Sequence, residues 1–215
     1  MADELDPLVL LDWRRRIAEL YADVRRSTDL PAAWAHWRAA RDELFAGHPA
    51  SPVPVAERAG FTGLGMFEYD PAVRLEAALR PAAAELVELA GGDGATYRFT
   101  RFARAHFELA GGPRELDVNW LHGYAGGVFV SFTDQTSGRQ TYGGGRYLLD
   151  TIKGADLGGS DGRLTLDFNF AYNPSCAYDP AWSCPLPSRS NRLACPVAAG
   201  ELAPNQPADR QSAGS

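Results

Sequence analysis

The sequence contains no long hydrophobic run, only one lysine (Lys153) and no excess of basic residues. A membrane-spanning helix needs about 20 consecutive apolar residues, and no segment approaches that length, so no membrane partner is expected. The formal net charge of −6 argues against nucleic acid as a partner, because phosphate backbones attract clustered positive charge. The acidic N-terminus lacks the positive and apolar segments of a secretory signal. These absences favour a soluble protein in the cytoplasm.

Cysteine is also scarce, with Cys176, Cys184 and Cys195 the only three. An odd number argues against a fully paired disulfide framework, and a reducing cytoplasm keeps thiols free unless they bind metal or do redox chemistry. The spacing from Cys176 to Cys184 is not the C-x-x-C of zinc ribbons or thioredoxin-like sites, so no metal site is predicted. The alternatives left open for Cys176 and Cys184 are two small buried hydrophobes, a disulfide or thiol-switch pair, and a metal site that would need histidine partners.

The order of local patterns predicts a single domain over residues 1–201. Two helices are expected within residues about 7–46, because Leu10, Trp13 and Ile17 begin an apolar series at helical spacing. A proline-rich connector follows at 47–62, then a β-region at about 63–172 and an irregular loop or lid at 173–201. The last segment, 202–215, is rich in Ala, Pro and polar residues and is expected to be disordered.

From Gly63 onward the apolar period changes from helical to two, and short turns separate the apolar runs. No helical segment lies between the runs, which argues against parallel βαβ units. The predicted fold is therefore mainly β with α: an antiparallel β-barrel or half-barrel of about eight strands, preceded by two N-terminal helices. The predicted strands include 66–69, 73–79, 86–89, 97–101, 105–109, 116–120, 128–132, 147–152 and 164–170.

Three features make residues 142–191 unusual. Gly143, Gly144 and Gly145 interrupt a strand pattern, which indicates a bulge or a close approach by backbone or ligand. Residues 166–172 alternate between an Asp/Asn face and an aromatic face, and periodicity does not show which one points inward. The loop at 176–187 is rich in Pro, Cys and aromatic residues, a composition typical of functional loops.

The C-terminal region contains a series of short motifs: Tyr142 to Leu148, Leu166 to Asn169, Ala171 to Pro174, Cys176 to Tyr178, Cys184 to Pro187, Asn191 to Leu193 and Ala199 to Glu201. On these motifs the chain resembles an uncharacterised prokaryotic family catalogued as domain of unknown function 1684. The resemblance extends from about Trp13 to Glu201 and implies no substrate or cofactor. Ser188 stands where the family pattern is expected to have proline.

The favoured functional hypothesis is a small-molecule-binding β-barrel with a pocket formed by residues 134–191. Pockets of this kind combine apolar surface with a few directed polar groups, and Arg146 beside close-approach glycines would suit an anionic ligand. Cofactor and oligomeric state stay unknown. The predicted ligand-binding residues are Asp134, Tyr142, Arg146, Tyr147, Asp167, Asn169, Tyr172, Asn173 and Asn191.

Two alternatives remain open. In the first, the protein is an enzyme in which Cys176 or Cys184 is a nucleophile or metal ligand and Asp167 or a histidine is the base. In the second, the C-terminal motif only closes the barrel, and its Asp and Asn side chains bind backbone groups of an irregular loop. The second alternative makes the domain a structural or partner-binding module.

Overall fold

The structure is a computed structural model that describes residues 6–91, 94–124 and 126–204. Its first two elements are the helices α1 (Pro7–Arg26) and α2 (Leu30–Gly47), followed by the short helix α3 (Val55–Arg58). Asp6 and Asp29 begin the long helices, because their carboxylates accept hydrogen bonds from the N–H groups of Leu8 (2.8 Å) and Ala32 (3.1 Å). No helix in the described part of the chain is long and apolar enough to cross a membrane.

Six antiparallel strands follow in one curled sheet, in the spatial order β5-β4-β3-β2-β1-β6. The two N-terminal helices and this half-barrel confirm the predicted fold class. The strands are β1 (Arg74–Ala90), β2 (Thr96–Leu109), β3 (Gly112–Leu121), β4 (Gly127–Phe132), β5 (Arg146–Asp150) and β6 (Arg163–Asp167).

The sheet has six strands rather than about eight because several predicted strands are continuous. Irregularities in the β1–β2 register between Pro81 and Glu85, and in the β2–β3 register between Arg101 and Ala103, bend strands without ending them. The first merges 73–79 with 86–89, and the second merges 97–101 with 105–109. The predicted strand at 66–69 is only an isolated bridge from Met66 to Glu201.

The predicted strand at 164–170 ends at Asp167, and residues Phe168–Phe170 form a 3-10 turn. The turn begins there because the Asp167 carboxylate accepts a hydrogen bond from the N–H of Asn169 (3.0 Å). Asp167, Phe168, Asn169 and Phe170 are all buried, so neither face of the predicted alternation is exposed to solvent.

Two clusters of buried apolar side chains fill the interior. One joins both long helices to the sheet and includes Tyr21, Trp37, Phe99 and Tyr147. The other packs the C-terminal segment, which we define as residues 191–202, against the remaining part of the sheet. Leu202, which falls in the predicted tail, is buried, and its N–H donates to the carbonyl of Gly65 (2.9 Å). Residues 205–215 of that predicted tail lie outside the described residues.

Candidate functional site

Most of the predicted ligand-binding side chains are buried, and the first group of them holds the C-terminal segment. Arg146 on β5 donates to the carbonyls of Ala199 and Val197 (3.0 Å for the latter) and is ion-paired with Asp134 (3.5 Å). Asp134 in turn accepts a hydrogen bond from the N–H of Val197 (2.6 Å). Burial lowers the pKa of Arg146 to about 10, which leaves the guanidinium charged at neutral pH.

Asn191 and Asn169 make comparable contacts with backbone. The Asn191 amide accepts from the N–H of Asp117 (2.7 Å) and donates to the carbonyl of Ser131 (2.7 Å), which fastens the chain across β3 and β4. The Asn169 amide bonds both the N–H and the carbonyl of Asp70 (2.8 Å each). These contacts use most of the hydrogen-bonding capacity of both side chains on the fold itself.

Asp167 is placed beside Asn169 and Arg74. Its carboxylate accepts from the Asn169 side chain (2.8 Å) and from Arg74 (3.1 Å). Burial raises the pKa of Asp167, and the hydrogen bonds from Asn169 and Arg74 partly oppose that rise. The hydrogen bonds found for Asp167 within the described residues go to these two groups and not to a cysteine.

The predicted glycine-rich strand is a turn in the structure, with Gly143 and Gly144 in the turn and Gly145 directly before β5. The φ of Gly145, +87°, lies in the left-handed region, and a Cβ atom there would stand 2.6 Å from the carbonyl oxygen of Phe132 and from the ring of Pro187. The glycine therefore permits the close approach of two chain segments. No ligand is needed to account for it.

A buried ion pair joins helix α2 to the C-terminal segment. Arg41 is hydrogen-bonded to Glu201, and both side chains are almost entirely removed from solvent. The second carboxylate oxygen of Glu201 accepts from the N–H of Asn173 (2.8 Å) and from the hydroxyl of Tyr178 (2.9 Å). The Arg41 guanidinium also lies over aromatic rings, including that of Tyr172 at 5.4 Å.

Beside this ion pair is a cavity of about 40 Å³ between the helices and the mouth of the half-barrel. Its walls include Tyr21 and Arg41 from the helices and Lys153, Tyr172, Asn173 and Ser175 from the β-region and the lid, while Trp13, Ile17 and Phe45 supply apolar surface. Four buried polar atoms of the lining residues have no hydrogen-bond partner among the residues that the structure describes: Tyr21 Oη, Arg41 Nε, Tyr172 Oη and Asn173 Oδ1.

These unpartnered atoms set this cavity apart. Buried polar groups are almost always hydrogen-bonded, so four exceptions among the residues that line one small space distinguish it from the other cavities. Tyr21 Oη lies near Trp37 Nε1, yet neither atom makes a hydrogen bond of normal geometry within the described chain. Two larger grooves, of about 530 and 480 Å³, lie along the connector and between α1 and α2. Their linings contribute no unpartnered buried side-chain atom among the described residues.

The charges around the cavity balance one another. Arg41 faces Glu201, and Lys153 at the rim lies 3.9 Å from Asp150. Burial raises the pKa of Asp150, while Lys153 and backbone N–H groups oppose that rise. Burial also raises the pKa of Tyr21 and Tyr172 well above the ordinary value. Both hydroxyls therefore keep their protons at neutral pH and can donate hydrogen bonds.

The cavity combines predicted and unpredicted residues. The sequence predicts Tyr172 and Asn173 as ligand-binding residues, but it assigns no such role to Tyr21 and Arg41. The one sequence signal for the second pair is Arg41 itself, since it shares the apolar face of α2 with Trp37, Leu44 and Phe45. A charged residue in such a position needs a buried partner.

The lid carries a second group of reactive side chains. Cys176 is partly exposed, Cys184 is buried, and neither forms a disulfide. Tyr142 Oη lies 3.9 Å from Cys176 Sγ. Hydrogen bonding to Cys176 lowers the pKa of Cys184 to about 6 against the effect of burial, and the same interaction raises the pKa of Cys176. Within the described residues, no three His, Cys, Asp or Glu side chains are grouped to hold a metal ion.

Comparisons with known proteins give a family and a related structure. The chain is similar to an uncharacterized protein from Haloarcula marismortui whose structure was determined by solution NMR. The two sequences are 39% identical, the match covers 80% of this chain and 92% of the other, and the TM-score is 0.58. No curated protein matches the sequence. The model of a family described as a protein of unknown function, DUF1684, matches residues 59–202. Because that match covers more than half of the chain, this protein belongs to the DUF1684 family.

Proposed function

We propose that this protein is a small-molecule-binding half-barrel whose ligand enters the cavity between Tyr21, Arg41, Tyr172 and Asn173. The observation that carries the proposal is that four of the residues lining that cavity each have a buried polar atom without a hydrogen-bond partner in the described chain. An unpaired buried polar group costs about 1–3 kcal/mol, so a ligand that pairs several of them recovers a substantial free energy on binding.

The unpartnered atoms define the hydrogen bonds that a ligand must offer. Arg41 Nε–H is a donor, Asn173 Oδ1 is an acceptor, and the two tyrosine hydroxyls can act as either. The complementary head group has at least one acceptor and one donor, as an amide or a protonated carboxylic acid does. Because Glu201 and Asp150 already balance Arg41 and Lys153, a neutral head group enters without burying an uncompensated charge.

The cavity volume limits the part of the ligand that is enclosed. Pockets for drug-sized ligands measure about 300–1,000 Å³, so a space of about 40 Å³ accepts only a head group of a few atoms. The apolar surfaces of Trp13, Ile17 and Phe45 would then contact the rest of the molecule. The competing occupant is ordered water, since a buried water needs a cavity of only about 10–15 Å³.

The other predicted ligand residues take a supporting part in this proposal. Arg146 and Asp134 hold the irregular C-terminal segment, which carries Glu201 into contact with Arg41. Asn191 holds the start of the same segment. These side chains therefore act on the cavity only through the Glu201–Arg41 pair, and the ligand contacts fall to Tyr172 and Asn173.

The proposal is tested with a thermal-unfolding screen of small primary amides, monocarboxylic acids and hydroxy compounds. We expect at least one amide or acid to raise the melting temperature of the wild type and to have a much smaller effect on Tyr172→Phe. That variant removes one unpartnered hydroxyl, so it is expected to fold as well as the wild type or better. Tyr124→Phe, at a fully exposed position, is the matched control and should respond as the wild type does.

A high-resolution crystal structure completes the test. Density for a head group bonded to Arg41 Nε and Asn173 Oδ1 supports the proposal. If every compound class fails at millimolar concentration and the cavity holds only water bonded to these atoms, the cavity is a hydrated structural feature. A ligand that binds equally to wild type and Tyr172→Phe would place the site elsewhere.

A further inference from the structure

The strand β1 has one edge that most of the sheet leaves unpaired. The last strand, β6, pairs with β1 only as far as Ala78, and the N–H of Leu79 then donates to the carbonyl of Gly162 (2.8 Å). At the far end of β1, the carbonyl of Ala90 accepts a hydrogen bond from the N–H of Leu186 in the lid (3.1 Å). Between these two bonds, no strand or bridge of the described chain pairs with the side of β1 that faces away from β2.

The directions of known hydrogen bonds show which backbone groups point out from this edge. The N–H of Gly91 donates across the hairpin toward β2, whereas the carbonyl of the preceding Ala90 points to the lid. Successive residues of an antiparallel strand direct their backbone groups to opposite sides. Because the pairing with β2 is regular over residues 85–89, which we call the open edge, Leu86 and Glu88 direct their N–H and carbonyl groups to the unpaired side.

The open edge lacks the usual protection against pairing with another strand. Natural sheet edges are often blocked by proline or by charges that repel a second strand. Pro81 lies before the register irregularity that ends at Glu85, so it does not interrupt the open edge. The two acidic residues are each neutralised by an arginine of β2, Glu85 by Arg101 (2.6 Å) and Glu88 by Arg98 (3.4 Å).

Exposed apolar side chains accompany these free backbone groups. Leu86 is 62% exposed, and its register partner Thr100 on β2 is in turn paired with Trp120 on β3, which is 44% exposed. Residues that face each other on neighbouring strands lie on the same side of a sheet, so all three belong to one row across β1, β2 and β3. Free backbone groups beside an exposed aliphatic side chain form a template for adding a strand.

We propose that two copies of this chain associate through the open edge, with β1 of one copy antiparallel to β1 of the other about a two-fold axis at Leu86. In this register Leu86 faces Leu86 of the second copy, while Glu85 faces Val87 and Glu88 faces Ala84. The two copies use the same surface, as a closed dimer requires. The inference is independent of the proposed ligand, because no residue of the open edge lines the cavity.

Charge and apolar burial select this register among its neighbours. An axis at Glu85 would set that carboxylate against its own copy, and an axis at Glu88 would do the same there; like charges directly opposite each other destabilise a strand pair. An axis at Val87 would set Leu86 against Glu88. The axis at Leu86 is the one of these four that buries leucine against leucine and keeps each glutamate opposite an uncharged residue.

Sedimentation equilibrium of the full chain, from micromolar to millimolar concentration, tests the association. The wild type is expected to become a dimer within this range. Leu86→Glu sets like charges against each other at the axis and should raise the dissociation constant of the dimer at least about tenfold. Val55→Glu, at an apolar position on α3 that is 77% exposed, is the matched control and should leave the dissociation constant unchanged. Circular dichroism and the melting temperature of each variant check that it is folded.

A cysteine at the axis tests the register by a second route. In a hydrogen-bonded antiparallel pair the Cα atoms are about 5.5 Å apart, a separation that a disulfide spans. Mild oxidation of Leu86→Cys should therefore link two copies through position 86. The link should form at least about tenfold faster than in Tyr124→Cys, whose fully exposed position meets its counterpart only by collision. Peptide mapping separates this link from disulfides of the native cysteines.

Three results would overturn the proposal. The first is a wild type that stays monomeric at every concentration. The second is a dimer that Leu86→Glu leaves intact, because the copies would then meet on another surface. The third is equal cross-linking of Leu86→Cys and Tyr124→Cys, which would contradict the axis at Leu86.

Discussion

Replacing Glu201 by glutamine tests the centre of this structure. The substitution keeps the size of the side chain and one oxygen acceptor, but it removes the negative charge opposite Arg41. Arg41 would then be a buried cation with no counter-charge among its hydrogen-bonded neighbours. Removing one member of a buried ion pair costs about 3–5 kcal/mol of stability. This loss is large beside the free energy of unfolding of a typical domain, which is about 5–15 kcal/mol.

A double-mutant cycle separates the interaction energy between Arg41 and Glu201 from the cost of each single substitution. Arg41→Met keeps apolar contact with Trp37 and Tyr172 but leaves the Glu201 carboxylate with only Asn173 N–H and the Tyr178 hydroxyl as partners. We expect a loss of about 3–5 kcal/mol for this single variant as well. The double variant Arg41→Met/Glu201→Gln removes both charges together. Its loss of stability should be smaller than the summed losses of the two single variants by about 2–3 kcal/mol, which is at the upper end of couplings between residues in contact.

The measurement is equilibrium unfolding in urea, followed by tryptophan fluorescence, with similar m-values required across the variants. Asp23→Asn is the control, because it breaks the exposed pair of Asp23 with Arg26 and should change stability by at most about 0.5 kcal/mol. Single variants that lose less than about 1 kcal/mol, or a double variant equal to their sum, would refute the assignment of a buried, coupled ion pair.

Three further predictions concern the glycine-rich turn before β5, the C-terminal segment and the thiols. Gly145→Ala should lower the free energy of unfolding, measured in urea, by about 2–4 kcal/mol, because residue 145 has a left-handed φ and its Cβ would meet the carbonyl oxygen of Phe132. Gly143→Ala is the control: no neighbouring atom lies nearer than 3.6 Å to its Cβ, and the free energy of unfolding should change by under about 0.5 kcal/mol. Arg146→Met should increase amide hydrogen exchange at residues 197–201 and lower the melting temperature, because Arg146 holds that segment. Arg192→Met, at an exposed position, should change neither quantity. Unchanged exchange in Arg146→Met would contradict the anchoring role of Arg146. Alkylation of the lid thiols by iodoacetamide should reach half its maximal rate near pH 6. The reason is that hydrogen bonding to Cys176 lowers the pKa of Cys184 to about 6, so the reactive thiolate forms above that pH. A midpoint near 9 would mean that the two thiols do not interact.

The structure also reduces the ambiguity of the unusual C-terminal region. Gly145, Asp134 and Asn191 are each explained by contacts within the fold, and Arg146 is bonded to the C-terminal segment although its Nε has no partner among the described residues. Tyr172 and Asn173 carry unpartnered buried atoms beside the cavity, and the lid holds the thiols of Cys176 and Cys184. The expectation of a functional region is therefore concentrated on two small places, the cavity and the cysteine pair.

Local sequence patterns predicted most elements of the fold. Helical spacing predicted the two long helices, and the structure begins them at Asp6 and Asp29, whose caps involve residues that are close in sequence. Alternation located the apolar strand segments, because side chains point to opposite faces with a period of two. The same patterns overestimated the number of strands, since a bulge or register shift depends on the neighbouring strand as well as on the local sequence.

The site depended on contacts that local patterns do not contain. Arg41 meets Glu201 across 160 positions of the sequence, and Asn191 meets Asp117 across 74. The sequence by itself determined which residues were polar, small or reactive within a mainly apolar chain. Only the tertiary structure decided which of these polar groups found partners and which did not, because hydrogen bonds saturate and burial depends on the packing of the helices against the mouth of the half-barrel.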